Sequence, residues 1–330
     1  MILIDLIYVN SFGGIVLARQ ILDYISKKTS STKYIILLDR RNCHLKKNYN
    51  FQIKIINNSE LERYCFYKRN NFDKIFCFGN VPPPLNIAKK TFIYFHNELL
   101  LNTEKSDLSY IKRLSFIVKR FYIKFLNKNY TWLVQTELMK DKLVGSLGVL
   151  KADVHVAPFF SSLKFVNVKR DENSYIYPTS ESLHKNNNRL IDSFIEAARS
   201  LDENLNLKIT IDRKSFKHKK IPKNLKIDFI GNTHQDNLLD LYVKSEFLIF
   251  PSLKESFGLP LIEAVQCGCF TIVSNLNFSK EVIRSSLLFD PFSTDSIKNA
   301  IIQSIKSRDL KKPKLLVNNS IEFIFNECLN

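Results

Sequence analysis

The sequence predicts an α/β protein made of two successive domains, each a doubly wound parallel sheet covered by helices. Three observations carry this. The chain has 330 residues, more than one ordinary core accommodates, so two domains of about 150 residues follow. Short unbroken apolar runs alternate with helix-period segments from end to end. Strands that are apolar on both faces belong to a parallel sheet with helices on each side. One polar stretch interrupts the rhythm near the middle.

Residues 2–9 read as the first strand. It carries Asp5 and no basic leader, so it reads as structure rather than as a signal peptide. A helix follows at 14–27, then strands at 34–38, 53–56, 75–78 and 92–95, and a long helix at 109–127. Strands at 132–135 and 154–157 enclose a helix at 137–147. The rhythm is lost over 159–174, which places the boundary there. The N-terminal domain is then 1–160 and the C-terminal domain 161–330, with the last helix able to pack back on the first domain. The alternation restarts with a strand at 175–177 and a helix at 188–201. That helix has the apolar face Leu190, Ile191, Phe194, Ile195, Ala198 and Leu201. Strands at 207–211 and 227–230, a helix at 237–244, a strand at 247–250, a helix at 259–266, a strand at 270–273 and a helix at 296–306 complete the pattern. Two such units facing a central cleft would bind ligands at the carboxyl ends of their strands.

Composition narrows the partners. With 49 Lys and Arg against 32 Asp and Glu, the chain carries +17. Nucleic acid, an acidic membrane surface and a phosphate-bearing substrate all fit such a field. No apolar run approaches the roughly 18 residues needed to span a bilayer. The six cysteines show no CxxC spacing and read as free buried thiols in a reducing cytoplasm. There is no Asp-x-Asp pair and no histidine pair at metal-ligand spacing, so neither a metal nor another cofactor is expected.

Glycine is scarce, with eight in the chain, which gives each one weight. Gly13 and Gly14 follow the first strand, where they form either a tight turn or a ligand-binding loop with helix N-terminal amides. Gly258 lies between a buried strand ending at Pro251 and a helix with Pro260 in its first turn. The amides of Phe257, Gly258 and Leu259 there suit a diphosphate. Glu255 precedes them, and Glu263 lies one turn into the helix. Two such acids can hold hydroxyl groups on either side of a phosphate; alone, they also fit a helix-start acid and a solvated helical residue.

Together these residues resemble the signature of family 4 of the retaining glycosyltransferases, which have the GT-B fold of two Rossmann-like domains. The match is Glu255-Ser-Phe-Gly-Leu-Pro-Leu-Ile-Glu263, a Glu-x7-Glu pattern. It continues through Ala264, Gly268, Phe270–Ser274 and Lys280-Glu281-Val282-Ile283. More weakly, Gly13-Gly14, Phe95-His96-Asn97, Val134-Gln135-Thr136 and His184-Lys185-Asn186 resemble further family segments. The resemblance implies that Glu255 contacts donor-sugar hydroxyls and that Ser256, Phe257, Gly258 and Leu259 present amides to sugar and diphosphate. It implies that Glu263 binds ribose hydroxyls and that Lys185 neutralises the departing diphosphate. His96 would lie by the reacting carbon, and Gly13 and Gly14 would border diphosphate and acceptor. A nucleoside diphosphate gains charge as it leaves, which fixed cations and amides stabilise. The sequence departs from the family in lacking an arginine within Tyr177-Pro-Thr-Ser-Glu181 and an Asn-Gly pair after the last strand of the first domain, where Pro158-Phe159-Phe160 stands.

In the long helix Ile111, Leu114, Val118, Phe121, Tyr122 and Phe125 form a stripe suited to packing on the sheet. The opposite face carries Lys112, Arg113, Lys119, Arg120 and Lys124, with Phe116 and Ile123 among them. Exposed apolar groups within a cationic face suit an anionic membrane interface; a solvated face with two incidental apolar residues is the other reading.

The expectation is a retaining hexosyltransferase using a nucleoside-diphosphate sugar and a saccharide acceptor, polyprenyl-diphosphate-linked. It would work in bacterial surface polysaccharide synthesis (O-antigen, capsule or lipopolysaccharide). It would be cytoplasmic, peripheral on the inner face of the membrane, and without a nucleic-acid partner. The rival is a non-catalytic basic protein on the same scaffold that binds a membrane or nucleic acid. That reading needs aromatic and basic residues interleaved along a groove, a pattern confined to one helix.

Overall fold

A computed structural model describes the chain except at residues 10–11, 29–30, 102–109, 127–129, 164–167, 216–219, 234 and 308. Side chains are also left undescribed at 12, 31, 47–48, 110–113, 215 and 235–236. The chain forms two compact units. Unit 1 is Met1–Ser161 with Asn318–Asn330, and unit 2 is Ser162–Val317.

In unit 1 the strands are β1 (Ile2–Leu6), β2 (Tyr34–Asp39), β3 (Gln52–Ile56), β4 (Lys74–Cys77), β5 (Lys90–Tyr94), β6 (Thr131–Val134) and β7 (Val154–Val156). The helices are α1 (Phe12–Lys28), α2 (Glu60–Lys68), α3 (Tyr110–Leu126) and α4 (Glu137–Leu147). The sheet order is β3-β2-β1-β4-β5-β6-β7, with every pairing parallel. The central strands β1 and β2 are buried throughout, as their largely apolar sequences require, whereas the edge strand β3 alternates.

Asp5 is the polar exception in β1, and the structure accounts for it. Its carboxylate receives Arg63 Nε at 2.8 Å and the Tyr67 hydroxyl at 2.7 Å, both from α2. Arg63 also donates to the carbonyl oxygens of Pro82 and Val81, so the buried charge pair has its hydrogen bonds satisfied.

In unit 2 the strands are β8 (Asp171–Tyr177), β9 (Leu205–Ile209), β10 (Leu225–Phe229), β11 (Ser245–Phe250), β12 (Phe270–Ser274), β13 (Ile283–Arg284), β14 (Leu287–Phe289) and β15 (Lys314–Leu315). The helices are α5 (Asn187–Arg199), α6 (Gln235–Lys244), α7 (Leu259–Gln266), α8 (Asn277–Val282) and α9 (Thr294–Lys306). The main sheet is parallel in the order β10-β9-β8-β11-β12-β14, and β13 pairs with β15 antiparallel. The predicted face of α5 is the buried one, with Leu190, Ile191, Phe194, Ile195 and Ala198 inside.

The chain then re-enters unit 1 through α10 (Ile321–Ile324). Ser320 N donates to Pro158 O, and the Tyr34 hydroxyl donates to Leu329 O at 2.8 Å.

Two sequence expectations are corrected. The cysteines are all free, but Cys43 and Cys65 are exposed while the other four are buried. The faces of α3 are inverted except at Tyr122, which packs against the core as expected, and Ile111 has its side chain outside the described residues. Ile123 is 1% exposed and Phe116 packs against the core, whereas Leu114, Val118, Phe121 and Phe125 face solvent. The rotation is set by partners outside the helix: Tyr122 donates to Glu60 of α2 at 3.0 Å, and Arg120 donates to Leu101 O at 3.2 Å. Lys119 and Lys124 are exposed, and Lys112 and Arg113 have side chains outside the described residues.

Candidate functional site

Unit 2 gathers its candidate residues at the carboxyl ends of β8 and β11. After β8 the chain makes a 3-10 turn, Leu183–Lys185, that ends at Asn186 with φ 60°, the left-handed region that asparagine tolerates better than most residues. Asn186 Nδ2 donates to Pro291 O at 2.8 Å and Pro251 O at 3.3 Å. The Tyr177 hydroxyl donates to Lys185 O at 2.6 Å, and Leu253 N donates to His184 O at 2.8 Å. The turn carrying Lys185 is thus tied to the loop that follows β11.

That loop carries Glu255. Lys185 Nζ lies 2.6 Å from Glu255 Oε1, with the two side chains 16% and 14% exposed. The ammonium also sits 5.8 Å from the Phe250 ring centroid. Two residues 70 positions apart, each singled out in the sequence, therefore form one part-buried ion pair. A charge-assisted bond of this length orders both side chains before any ligand arrives.

Beyond Glu255 the loop passes Ser256 and the buried Phe257 to Gly258. Gly258 has φ 79° and caps α7, with Pro260 in the first turn and no acid there. A Cβ at Gly258 would sit 3.0 Å from Leu261 Cδ1, in a backbone region strained for any L side chain. The N-terminus of α7 therefore carries first-turn N–H groups and the positive end of the helix dipole without an acidic side chain in that turn.

Glu263 lies on the second turn of α7. Its Oε2 accepts the Tyr242 hydroxyl of α6 at 2.9 Å, and burial pushes its carboxyl above the ordinary range. Sequence reasoning missed Tyr242 and Tyr177, because a buried hydroxyl in an apolar strand or helix reads as core. The left-handed Asn186 was visible within His184-Lys185-Asn186 only as a turn. In place of the arginine absent before Lys185, Arg189 on the first turn of α5 donates to Asn186 Oδ1 and Pro291 O. It supports the turn.

In unit 1, Gly13 and Gly14 lie within the first turn of α1, which begins at Phe12. His96 follows β5. Its backbone N donates to Asn80 Oδ1 at 2.7 Å, and its ring stacks on Phe78 with centroids 4.9 Å apart. Nε2 stands 3.0 Å from Phe78 O, which only accepts, so Nε2 carries the proton. Burial lowers the ring pKa to about 4, and the imidazole is neutral at physiological pH. Among the described residues no group of three or more His, Cys, Asp or Glu is placed to hold a metal ion.

Residues 161–323 match the family model described as glycosyl transferases group 1. The O-antigen chain mannosyltransferase RfbU of Salmonella typhimurium is 27% identical over 204 residues, covering 58% of this chain and 55% of that protein. The O-antigen chain mannosyltransferase B of Escherichia coli is 35% identical over 81 residues, 24% of this chain and 21% of that protein. The chain thus spans between about a fifth and about half of the length of these relatives. The crystal structure of Anabaena HepE in complex with UDP and glucose superposes with a TM-score of 0.67 at 12% identity, over 99% of this chain and 95% of that one. The structure of WaaG, a glycosyltransferase involved in lipopolysaccharide biosynthesis, gives 0.63 at 12% identity over 93% and 91%. These likenesses show the GT-B fold.

Proposed function

Because the chain belongs to the glycosyl transferases group 1 family through residues 161–323, we propose that it is a retaining hexosyltransferase. Its donor is a nucleoside-diphosphate sugar, held by unit 2 without a metal. Its acceptor is a lipid-linked saccharide of bacterial surface polysaccharide, met at the inner face of the cytoplasmic membrane. Mannose is the first sugar to test, since RfbU and mannosyltransferase B are named for it.

The observation that carries the reading is the Lys185–Glu255 pair beside the N-terminus of α7. In the donor complex Lys185 turns to the diphosphate and Glu255 to the sugar hydroxyls. Each exchanges a charge-assisted bond with the other for one with the ligand, so neither charge is left unpaired. The amides around Gly258 add their dipoles as the leaving group gains charge, and the amount is largest where water is excluded. Glu263 takes the ribose hydroxyls with the oxygen that Tyr242 leaves. Attack on the front face lets the departing phosphate accept the acceptor proton, so no protein nucleophile is needed. In unit 1 the neutral His96 and the Gly13–Gly14 turn are the acceptor-side groups of this reading.

A thermal-shift screen of nucleoside-diphosphate sugars, followed by transfer and hydrolysis assays with the best donor, tests it. Lys185→Ala and Glu255→Ala are each expected to lower turnover by about a hundredfold or more while remaining folded. Wild-type turnover in both variants defeats the site assignment. No stabilisation by any sugar nucleotide favours the basic binding protein instead.

A further inference from the structure

Helix α3 exposes the wrong residues for a helix that only covers a sheet. Leu114 is 52% exposed, Val118 60%, Phe121 67% and Phe125 83%. At about 100° per residue these four fall within about 60° of one another, so they form one line along the helix. They are all large, and they follow each other without a polar residue between them on that face.

The line is held outward by contacts on the far side. Ile123 and Leu126 are in the core, Phe116 packs against it, and Tyr122 is bonded to Glu60. Turning the stripe inward would expose these groups and break the Tyr122 bond. The helix α2, joined to α3 through Glu60, presents Leu61 as a further exposed apolar side chain.

The helix also has five basic residues and no acidic one: Lys112, Arg113, Lys119, Arg120 and Lys124. The exposed Lys124 falls on one flank of the stripe. Long cationic side chains beside an apolar line can lie along it and carry their charge to the surface of an anionic layer. A second copy of this chain, itself at +17, has no such complementarity.

We propose that Leu114, Val118, Phe121 and Phe125 of α3 insert into an anionic lipid bilayer, with Lys124 at the headgroups. The partner is the bilayer itself. The proposal deepens the lipid-linked acceptor reading and rests on it only for the purpose of the attachment. The inserting residues differ from Phe116 and Ile123, which the sequence suggested.

The test uses the full chain with vesicles of phosphatidylcholine alone or mixed with phosphatidylglycerol. The wild type is expected to sediment with the mixed vesicles and to dissociate as salt is raised. The double substitution Phe121→Ser with Phe125→Ser, and separately Lys124→Glu, should each lower partitioning about tenfold or more. Phe125→Trp adds an exposed indole to a chain whose Trp132 is buried, and its emission should shift to the blue when mixed vesicles are added. Because Phe121 and Phe125 lie outside the core, the double variant should keep its melting temperature and its donor hydrolysis without vesicles.

The proposal is overturned if the wild type ignores mixed vesicles, if the double variant partitions as the wild type does, or if the indole emission stays put. A concentration-dependent dimer abolished by the double variant overturns it too, since the stripe would then belong to a second copy. Vesicle binding without donor hydrolysis defeats the transferase reading and leaves the lipid face standing. Hydrolysis without vesicle binding does the reverse.

Discussion

Two ionisable residues illustrate how burial sets the chemistry. His96 has its pKa lowered to about 4 because the ring is enclosed; its bond to Phe78 O pulls the other way and is outweighed. A histidine that resists protonation when folded stabilises the fold fully above its unfolded pKa of about 6.5. That stability is lost as pH falls from there toward 4. His96→Asn should flatten the decline in melting temperature between about pH 6.5 and 4, where the wild type loses at most about 3 kcal/mol through this group. An unchanged slope in the variant would show that the ring titrates freely. Glu263 is shifted the other way, raised by burial and held by Tyr242. Its ionised form is the costly one in the fold, so Glu263→Gln is expected to raise the melting temperature at pH 8 and to weaken donor binding about tenfold or more. Donor titration by calorimetry checks the second half, and a variant that binds donor normally removes Glu263 from the site.

At the scale of elements, α7 and α3 make opposite demands on the sequence. The entry to α7 is narrow: Gly258 at φ 79°, Pro260 next but one, and Leu261 Cδ1 where a Cβ would sit. Gly258→Ala should destabilise unit 2 by about 1–2 kcal/mol and weaken donor binding in addition, because the first-turn amides shift with the cap. Denaturant melts with and without sugar nucleotide separate the two effects; an alanine variant with wild-type affinity would show that those amides do not touch the donor. Helix α3, by contrast, has apolar residues on both faces, so its periodicity alone could not say which face the sheet takes. The stronger stripe read from the sequence is the one left outside. What decided its rotation was Tyr122 reaching Glu60, 62 positions away, together with Ile123 and Leu126 fitting the core.

On the scale of the whole chain, residues from both ends of the sequence belong to unit 1. Met1 pairs with Asp73, and the last residues bury Phe325, Cys328 and Leu329. Tyr34 and Lys74 donate to Leu329 O and Glu327 O. Deletion of residues 321–330 should therefore lower the melting of unit 1 by several degrees, since it opens a buried apolar face and removes the Tyr34 bond to Leu329 O. Donor-dependent stabilisation of unit 2 should survive. Differential scanning calorimetry with and without sugar nucleotide reads both, and an unshifted first transition would show the tail to be dispensable.

The sequence by itself determined the alternation of strands and helices, the parallel character of both sheets, and the local geometry around Gly258. These depend on residues close together in the chain, where periodicity, glycine and proline act directly. It also marked Lys185 and Glu255 one at a time. Only the tertiary structure decided that these two are bonded to each other, that Tyr242 holds Glu263, that Arg63 satisfies Asp5, and that α3 turns Phe121 and Phe125 to the outside. Each of those outcomes depends on a partner from a distant segment, and no local pattern encodes which of two plausible partners lies within reach once the sheets have formed.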